Sequence, residues 1–221
     1  MHLVTVYAHP VPGAFTASIL ESFEQAFKEA GHTVDRIDLH AERFDPRFTV
    51  EDHEHYYGGP VPPGIGEMHR RVEKADRLAF VFPIYWWGLP AMMRGWIERV
   101  FTGGWAFGED AMDYATQDQP DPLLPSIPTM LLATGATAQP TYSKYGYDEA
   151  MYTQLDVGTF AYCGLTDVES HFIYDVEGDA ITREQGLCEV PAFARQFMSN
   201  EREVRNVKDD HLARRFRIAS R

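Results

Sequence analysis

At 221 residues the chain is long enough for one well-buried α/β domain and too short for two ordinary ones. Hydrophobic residues make up 44% and charged residues 24%, an ordinary globular balance, and no run nears the ~18 consecutive apolar residues of a membrane span. The formal charge of −13 argues against nucleic acid as a partner, because phosphate binding needs a basic face, and the two cysteines, Cys163 and Cys188, form no CxxC pair.

Leu3 to Ala8 read as a first strand ending at His9-Pro10, so near the start that no leader pattern precedes it, and a cytoplasmic location is expected. Phe15, Ile19, Phe23 and Phe27 recur every four residues and predict an amphipathic helix closed by Gly31. Thr33 to Leu39 is the next strand, completing a right-handed βαβ unit. In its first loop, HPVPGAFTAS, Thr16 and Ser18 stand at the helix start, where free N–H groups favour an anion. Each hydroxyl is either an ordinary cap or a phosphate ligand. The loop is neither GxGxxG nor GxxxxGK(S/T).

Residues 41 to 66 are rich in Pro and Gly and predict a long surface excursion. Within it Glu51, Asp52, His53, Glu54 and His55 read as solvated charge rather than a metal site, since no HExxH frame converges them. Ile65, Met68, His69 and Val72 predict a short helix. Leu78 to Phe82 is an apolar run of the kind buried on both faces of a parallel sheet, ended by Pro83. A loop with Tyr85, Trp86, Trp87 and Gly88 then leads to Pro90 at the first turn of a helix. There Met92, Trp96 and Val100, with Met93, Ile97 and Phe101, form the packing face, and Arg94, Glu98 and Arg99 are expected in water. Three adjacent loop aromatics diverge, so at least one should line a cavity or an interface.

Residues 108 to 127 are polar and predict a loop. Thr129 to Ala133 is a fourth strand, and Thr134-Gly135-Ala136-Thr137 opens a loop toward the same crevice as the aromatic one. A loop bearing Tyr142, Tyr145 and Tyr147 precedes a helix with Leu155, Thr159 and Tyr162, at whose end Cys163 is expected buried and structural. Leu165 to Tyr174 is the fifth strand and Ile181 to Met198 the final helix. Residues 1 to 199 thus read as one domain, and Asn200 to Arg221 as a charged tail.

Five strands alternating with helices predict an α/β fold of flavodoxin-like type, a doubly wound five-stranded parallel sheet with helices on both faces. The stretches FPIYWWGLPAMMRGWIERVF, YAHPVPGAFTAS, ATGAT and YCG resemble the NAD(P)H:quinone oxidoreductase family of flavodoxin-fold flavoproteins, and the likeness covers most of residues 1 to 175. The resemblance implies bound FAD or FMN, NADPH or NADH as hydride donor, and a quinone or similar flat acceptor. By that likeness His9, Phe15, Thr16 and Ser18 hold the phosphate and ribityl chain. Pro83, Ile84, Tyr85, Trp86 and Trp87 run along the isoalloxazine ring, and Thr134 and Gly135 meet its pyrimidine edge. Trp105 and Phe107 match acceptor-pocket walls that in relatives often come from across a dimer interface, which implies a homodimer. Tyr142 and Tyr147 are the candidate catalytic groups, able to hydrogen-bond the acceptor oxygen.

Two positions depart from the family pattern: relatives commonly carry Asn where Thr16 stands and His where Tyr147 falls. No metal is implied. A second reading takes the chain as a flavin-binding regulatory subunit of a membrane transporter, such as a potassium-efflux system, docking through residues 41 to 66.

Overall fold

Successive side chains of a strand point to opposite faces. In the computed structural model the strand Arg77–Pro83 follows this rule, sending Leu78, Phe80 and Phe82 into one apolar core and Ala79 and Val81 into another. All seven of its residues are buried, as expected of the middle strand of a sheet covered on both sides. The structure describes residues 1–108 and 121–199.

In chain order the strands are β1 (His2–Tyr7), β2 (Thr33–Asp38), β3 (Arg77–Pro83), β4 (Thr129–Thr134) and β5 (Val168–Ile173). They form one all-parallel sheet in the order β2-β1-β3-β4-β5, with Val6 opposite both Ile37 and Phe80, and Pro83 opposite Thr134. The order reverses between β1 and β3, so the loops leaving their carboxyl ends part and open a crevice.

Helices α1 (Phe15–Glu29), α2 (Val50–Tyr56), α3 (Ile65–Val72), α4 (Ala91–Val100), α5 (Gln139–Tyr145), α6 (Tyr147–Tyr152) and α7 (Ala180–Met198) complete the described fold. α1 and α7 cover one face, where the rings of Phe23 and Phe27 lie 6.2 and 6.5 Å from that of Phe197. α3 and α4 cover the other through Ile65, Val72, Met93, Trp96 and Val100. Glu24 on α1 fixes the helix over the sheet, accepting from Thr5 Oγ1 at 2.8 Å and from Arg36 at 2.9 and 2.6 Å. This buried, fully engaged carboxylate helps place the start of α1 at the mouth of the crevice.

Four expectations are corrected. The stretch 41–66 is not a loose excursion: Thr49 and Asp52 form a reciprocal capping box that starts α2. Asp52 is buried rather than solvated, and its partner is Arg99, also buried rather than in water, with Nε 2.8 Å from Asp52 Oδ2 and Nη1 2.7 Å from the Asp45 carbonyl. Only Arg94 and Glu98 of that helix face reach solvent, as an exposed pair. The three tyrosines expected on a loop lie on helices, because Pro140 suits the first turn of α5 and Gly146, at φ 71°, ends it and begins α6.

Beyond α6 the expected helix is a π-helical segment, Thr153–Phe160, and a 3₁₀ turn, Ala161–Cys163, that leaves Cys163 buried. β5 is shorter than the predicted Leu165 to Tyr174, since Leu165 and Thr166 bond back to Phe160 and Gly164. Residues 109–120 of the predicted loop and the charged tail lie outside the described residues.

Candidate functional site

Three carboxyl-end loops meet at the crevice. The first, after β1, turns at Gly13 (φ 73°) and enters α1 through Ala14, with no side chain capping the helix. Thr16 and Ser18 are therefore not caps. Thr16 is buried and its Oγ1 lies 2.8 Å from Thr134 Oγ1, tying the first turn of α1 to the end of β4. Ser18 and Phe15 are half-buried beside it. His9 Nδ1 lies 3.1 Å from the Val11 N–H and 3.2 Å from the Val11 carbonyl, contacts that bend the loop back onto the ring.

The second loop follows β3. Ile84 N–H donates to the Thr134 carbonyl at 2.8 Å, extending the β3–β4 pairing past Pro83. Tyr85 and Gly88 then exchange two backbone hydrogen bonds of 3.1 Å across a tight turn whose central residues, Trp86 and Trp87, both have positive φ (47° and 63°). That is the signature of a type I′ turn, normally made by Asn and Gly. An L-residue held there costs about 1–2 kcal/mol. The three aromatics diverge as expected: Trp86 is 95% exposed, Tyr85 is exposed, and Trp87 turns inward. A fully exposed tryptophan on a strained turn at a sheet switch point has the character of a binding surface, not of a core.

The third loop follows β4. Gly135 is held by its N–H to the Ile173 carbonyl (2.8 Å). A Cβ on it would lie 2.6 Å from Tyr142 Oη and 3.5 Å from Ile84 Cδ1, so glycine is what lets the tyrosine hydroxyl and the β3 loop close over the strand end. Tyr142 is buried, edge-on to Trp87 (5.2 Å, 81°) and packed on Tyr174 (4.6 Å). Tyr147 stacks on Trp87 at 3.9 Å and 15°. Burial pushes the Tyr142 phenol above its ordinary pKa, and burial together with Asp148 and Tyr142 pushes Tyr174 up to about 12. Both stay protonated near neutrality and remain hydrogen-bond donors. Tyr174 carries no motif in the sequence; its place one residue past β5, on the carboxyl edge, is the signal for it.

The structure thus brings His9, Phe15, Thr16, Ser18, Ile84 to Trp87, Thr134, Gly135, Tyr142 and Tyr147 to one edge of the sheet. Trp105 and Phe107 have other neighbours. Trp105 stacks on His69 (4.0 Å, 10°) and donates Nε1–H to Glu73 (2.8 Å), while Phe107 packs edge-on to Tyr162 at 5.7 Å. Chemically, the shared edge combines an uncapped helix start suited to an anion, a flat aromatic shelf, and a glycine cradle with a protonated phenol beside it. A flavin, flat at one end and anionic at the other, fits that set.

Comparison with known proteins agrees. A family model described as flavodoxin-like fold matches residues 1–192. The mouse (Mus musculus) ribosyldihydronicotinamide dehydrogenase (quinone) is 30% identical over 183 residues, 74% of this chain and 77% of that protein. The rat (Rattus norvegicus) NAD(P)H dehydrogenase (quinone) 1 is 28% identical over 191 residues, 77% of this chain and 68% of that one. Among solved structures, the NAD(P)H:quinone oxidoreductase from Methanothermobacter marburgensis superposes with a TM-score of 0.77 at 26% identity, covering 92% of this chain and 98% of that one. The chain belongs to the NAD(P)H:quinone oxidoreductase family of flavodoxin-like proteins.

Proposed function

We propose that this oxidoreductase binds a flavin along the crevice between β1, β3 and β4 and passes hydride from NADH or NADPH to a quinone or similar flat acceptor. The observation that carries the reading is the Trp86-Trp87 turn, strained and exposed, beside the Gly135 cradle. When bound, the flavin supplies the two-electron chemistry; the chain supplies position, a dry apolar shelf and hydrogen bonds.

In this reading the N–H groups at the start of α1, with His9 and Ser18, hold the anionic tail, and Pro83 to Trp87 support the ring. With its hydroxyl given to Thr134, Thr16 contributes its backbone N–H. The Tyr142 phenol, protonated and set over Gly135, donates a hydrogen bond where negative charge gathers, and Tyr147, stacked on Trp87, borders the acceptor.

FAD is favoured over FMN by a second groove of about 320 Å³ beyond the β1–α1 loop, lined by Tyr7, His9, Arg36 and Asp38, which offers room for an adenosine. Trp105 and Phe107 are assigned to the acceptor pocket of a partner subunit, since their own ring contacts lead away from Trp86 and Trp87. A homodimer is supported by apolar side chains exposed on and after α2, Val50, Tyr57 and Val61. No described helix is long and apolar enough to cross a membrane. A single domain over residues 1–199 and a cytoplasmic location complete the proposal.

Purified protein should be yellow, and mass spectrometry of the released cofactor distinguishes FAD from FMN. Tyr142→Phe should slow acceptor reduction about 100-fold. A colourless chain that takes up neither flavin would overturn the reading.

A further inference from the structure

Trp105 is a half-buried side chain on a turn, and both its backbone and its ring are fixed. The turn after α4 closes with the Ala106 N–H on the Thr102 carbonyl (2.8 Å) and the Gly104 N–H on the Phe107 carbonyl (2.7 Å), and Ala106 is fully buried. Once the Trp105 Cα–Cβ bond is placed in this way, two side-chain torsions remain free. The end of α3 restrains both. His69 stacks on the indole at 4.0 Å and 10°, which sets the plane of the ring, and Glu73 Oε1 accepts from Nε1–H at 2.8 Å, which sets its direction within that plane. His69 and Glu73 are one helical turn apart, joined by the Glu73 N–H on the His69 carbonyl, so they present to the same side.

His69 is itself held in place. It is buried, and its Nε2 lies 2.8 Å from the Val100 carbonyl, which only accepts, so Nε2 carries a proton and donates. Burial lowers its pKa, against the opposing pull of that carbonyl and of Glu73, and the ring under the indole is neutral near neutrality. One face of the indole is taken by this imidazole. A flat ligand therefore stacks on the other.

We infer that His69 and Glu73 are positioning residues of the acceptor site: α3 of one subunit sets the angle of the Trp105 wall that closes its partner's pocket, and with it the affinity for flat acceptors. The inference rests on the assignment of Trp105 to that wall. It adds that the wall is oriented from outside the crevice, by two side chains that do not touch the acceptor. Such a clamp acts equally on the bound acceptor and on the transition state, so its loss raises KM and leaves kcat.

The test is steady-state reduction of 1,4-naphthoquinone by the flavin-loaded protein at saturating nicotinamide donor. Trp105→Ala removes the wall and should raise the acceptor KM about 10-fold. Glu73→Ala frees the indole N–H and should raise it about 5-fold, with kcat changed by less than about 2-fold. Glu73→Gln offers a carbonyl to the same N–H and should bring KM back to within about 2-fold of the parent. His69→Gln keeps a donor for the Val100 carbonyl but removes the stacking plane, and should match Glu73→Ala. Glu73 is exposed, so its variants should keep both the denaturation midpoint and the flavin absorbance of the parent. If His69→Gln fails to fold, the Glu73 pair alone decides. A lowered midpoint with unchanged KM in Glu73→Ala, or a raised KM that Glu73→Gln does not restore, would overturn the clamp and leave the wall standing. An unchanged KM in Trp105→Ala would remove the wall and the clamp together, while flavin uptake still tests the rest of the functional reading.

Discussion

Two stretches follow the strands on either side of β1, leave the same edge of the sheet and are held by opposite means. The stretch after β2 looks disposable, with its prolines, glycines and charges, yet it is clamped. Arg99 reaches from α4 to Asp52 and to the Asp45 carbonyl, and its guanidinium lies 5.5 Å from the ring of Phe44. The stretch after β3 looks like core, with Tyr85, Trp86 and Trp87 in a row, yet its turn closes on two backbone hydrogen bonds and projects Trp86 into solvent. The charged segment is structural and the aromatic one is offered to a ligand. Residue type ranks how easily a side chain can be buried; whether it is buried depends on what the fold brings opposite it.

The contrast can be broken most forcefully at the clamp. Asp52→Ala should destabilise the protein by about 3–5 kcal/mol in equilibrium denaturation, because it strands the Arg99 charge in a buried site. Replacing both partners by apolar residues should recover most of that loss, and failure to recover would mean that the capping role of Asp52 outweighs the ion pair. Gly95→Ala comes next. Its Cβ would sit 2.1 Å from the Pro46 carbonyl oxygen, where the excursion crosses α4 backbone to backbone, for an expected loss of about 1–3 kcal/mol. An unchanged denaturation midpoint would show that the crossing is loose.

At the aromatic loop the sign reverses. Trp86→Gly should raise stability by about 1 kcal/mol, since glycine takes a positive φ freely and the exposed indole gives up little packing. The same change should lower flavin retention after gel filtration; a variant that is both more stable and equally yellow would refute a binding role for the turn.

The smallest effect is in pH and lies at the strand ends outside both stretches. Tyr7, beside the first loop, is raised to about 12, chiefly by burial and then by Asp38, and Tyr174 by the crevice is raised to about 12. A raised phenol keeps its proton longer in the folded chain than in the unfolded one. Its contribution is full below about pH 10, where unfolded tyrosine ionises, and is lost as pH climbs toward 12. Denaturation midpoints should therefore be lower at pH 11 than at pH 9, and Tyr174→Phe should flatten part of that slope.

Much of the crevice could be read from local pattern. The run at Leu78 to Phe82, the four-residue spacing in α1 and the glycine after β4 are short-range signals, and each appears where predicted. The clamp could not be read in that way. Arg99 and Asp52 lie 47 positions apart, and nothing near either one marks it as paired. Tyr142 and Tyr147 fell on a predicted loop because six- and seven-residue helices carry too few turns to show a period.

What the sequence determined alone was the alternation of strands and helices and the position of the loops that end at the crevice, because backbone preference and apolar periodicity act over a few residues. Only the tertiary structure decided that Trp86 faces out, that Asp52 faces in, and that Gly135 must be bare for Tyr142 to close over it. Those outcomes depend on distances between segments far apart in the chain, which come into existence only when the sheet is assembled.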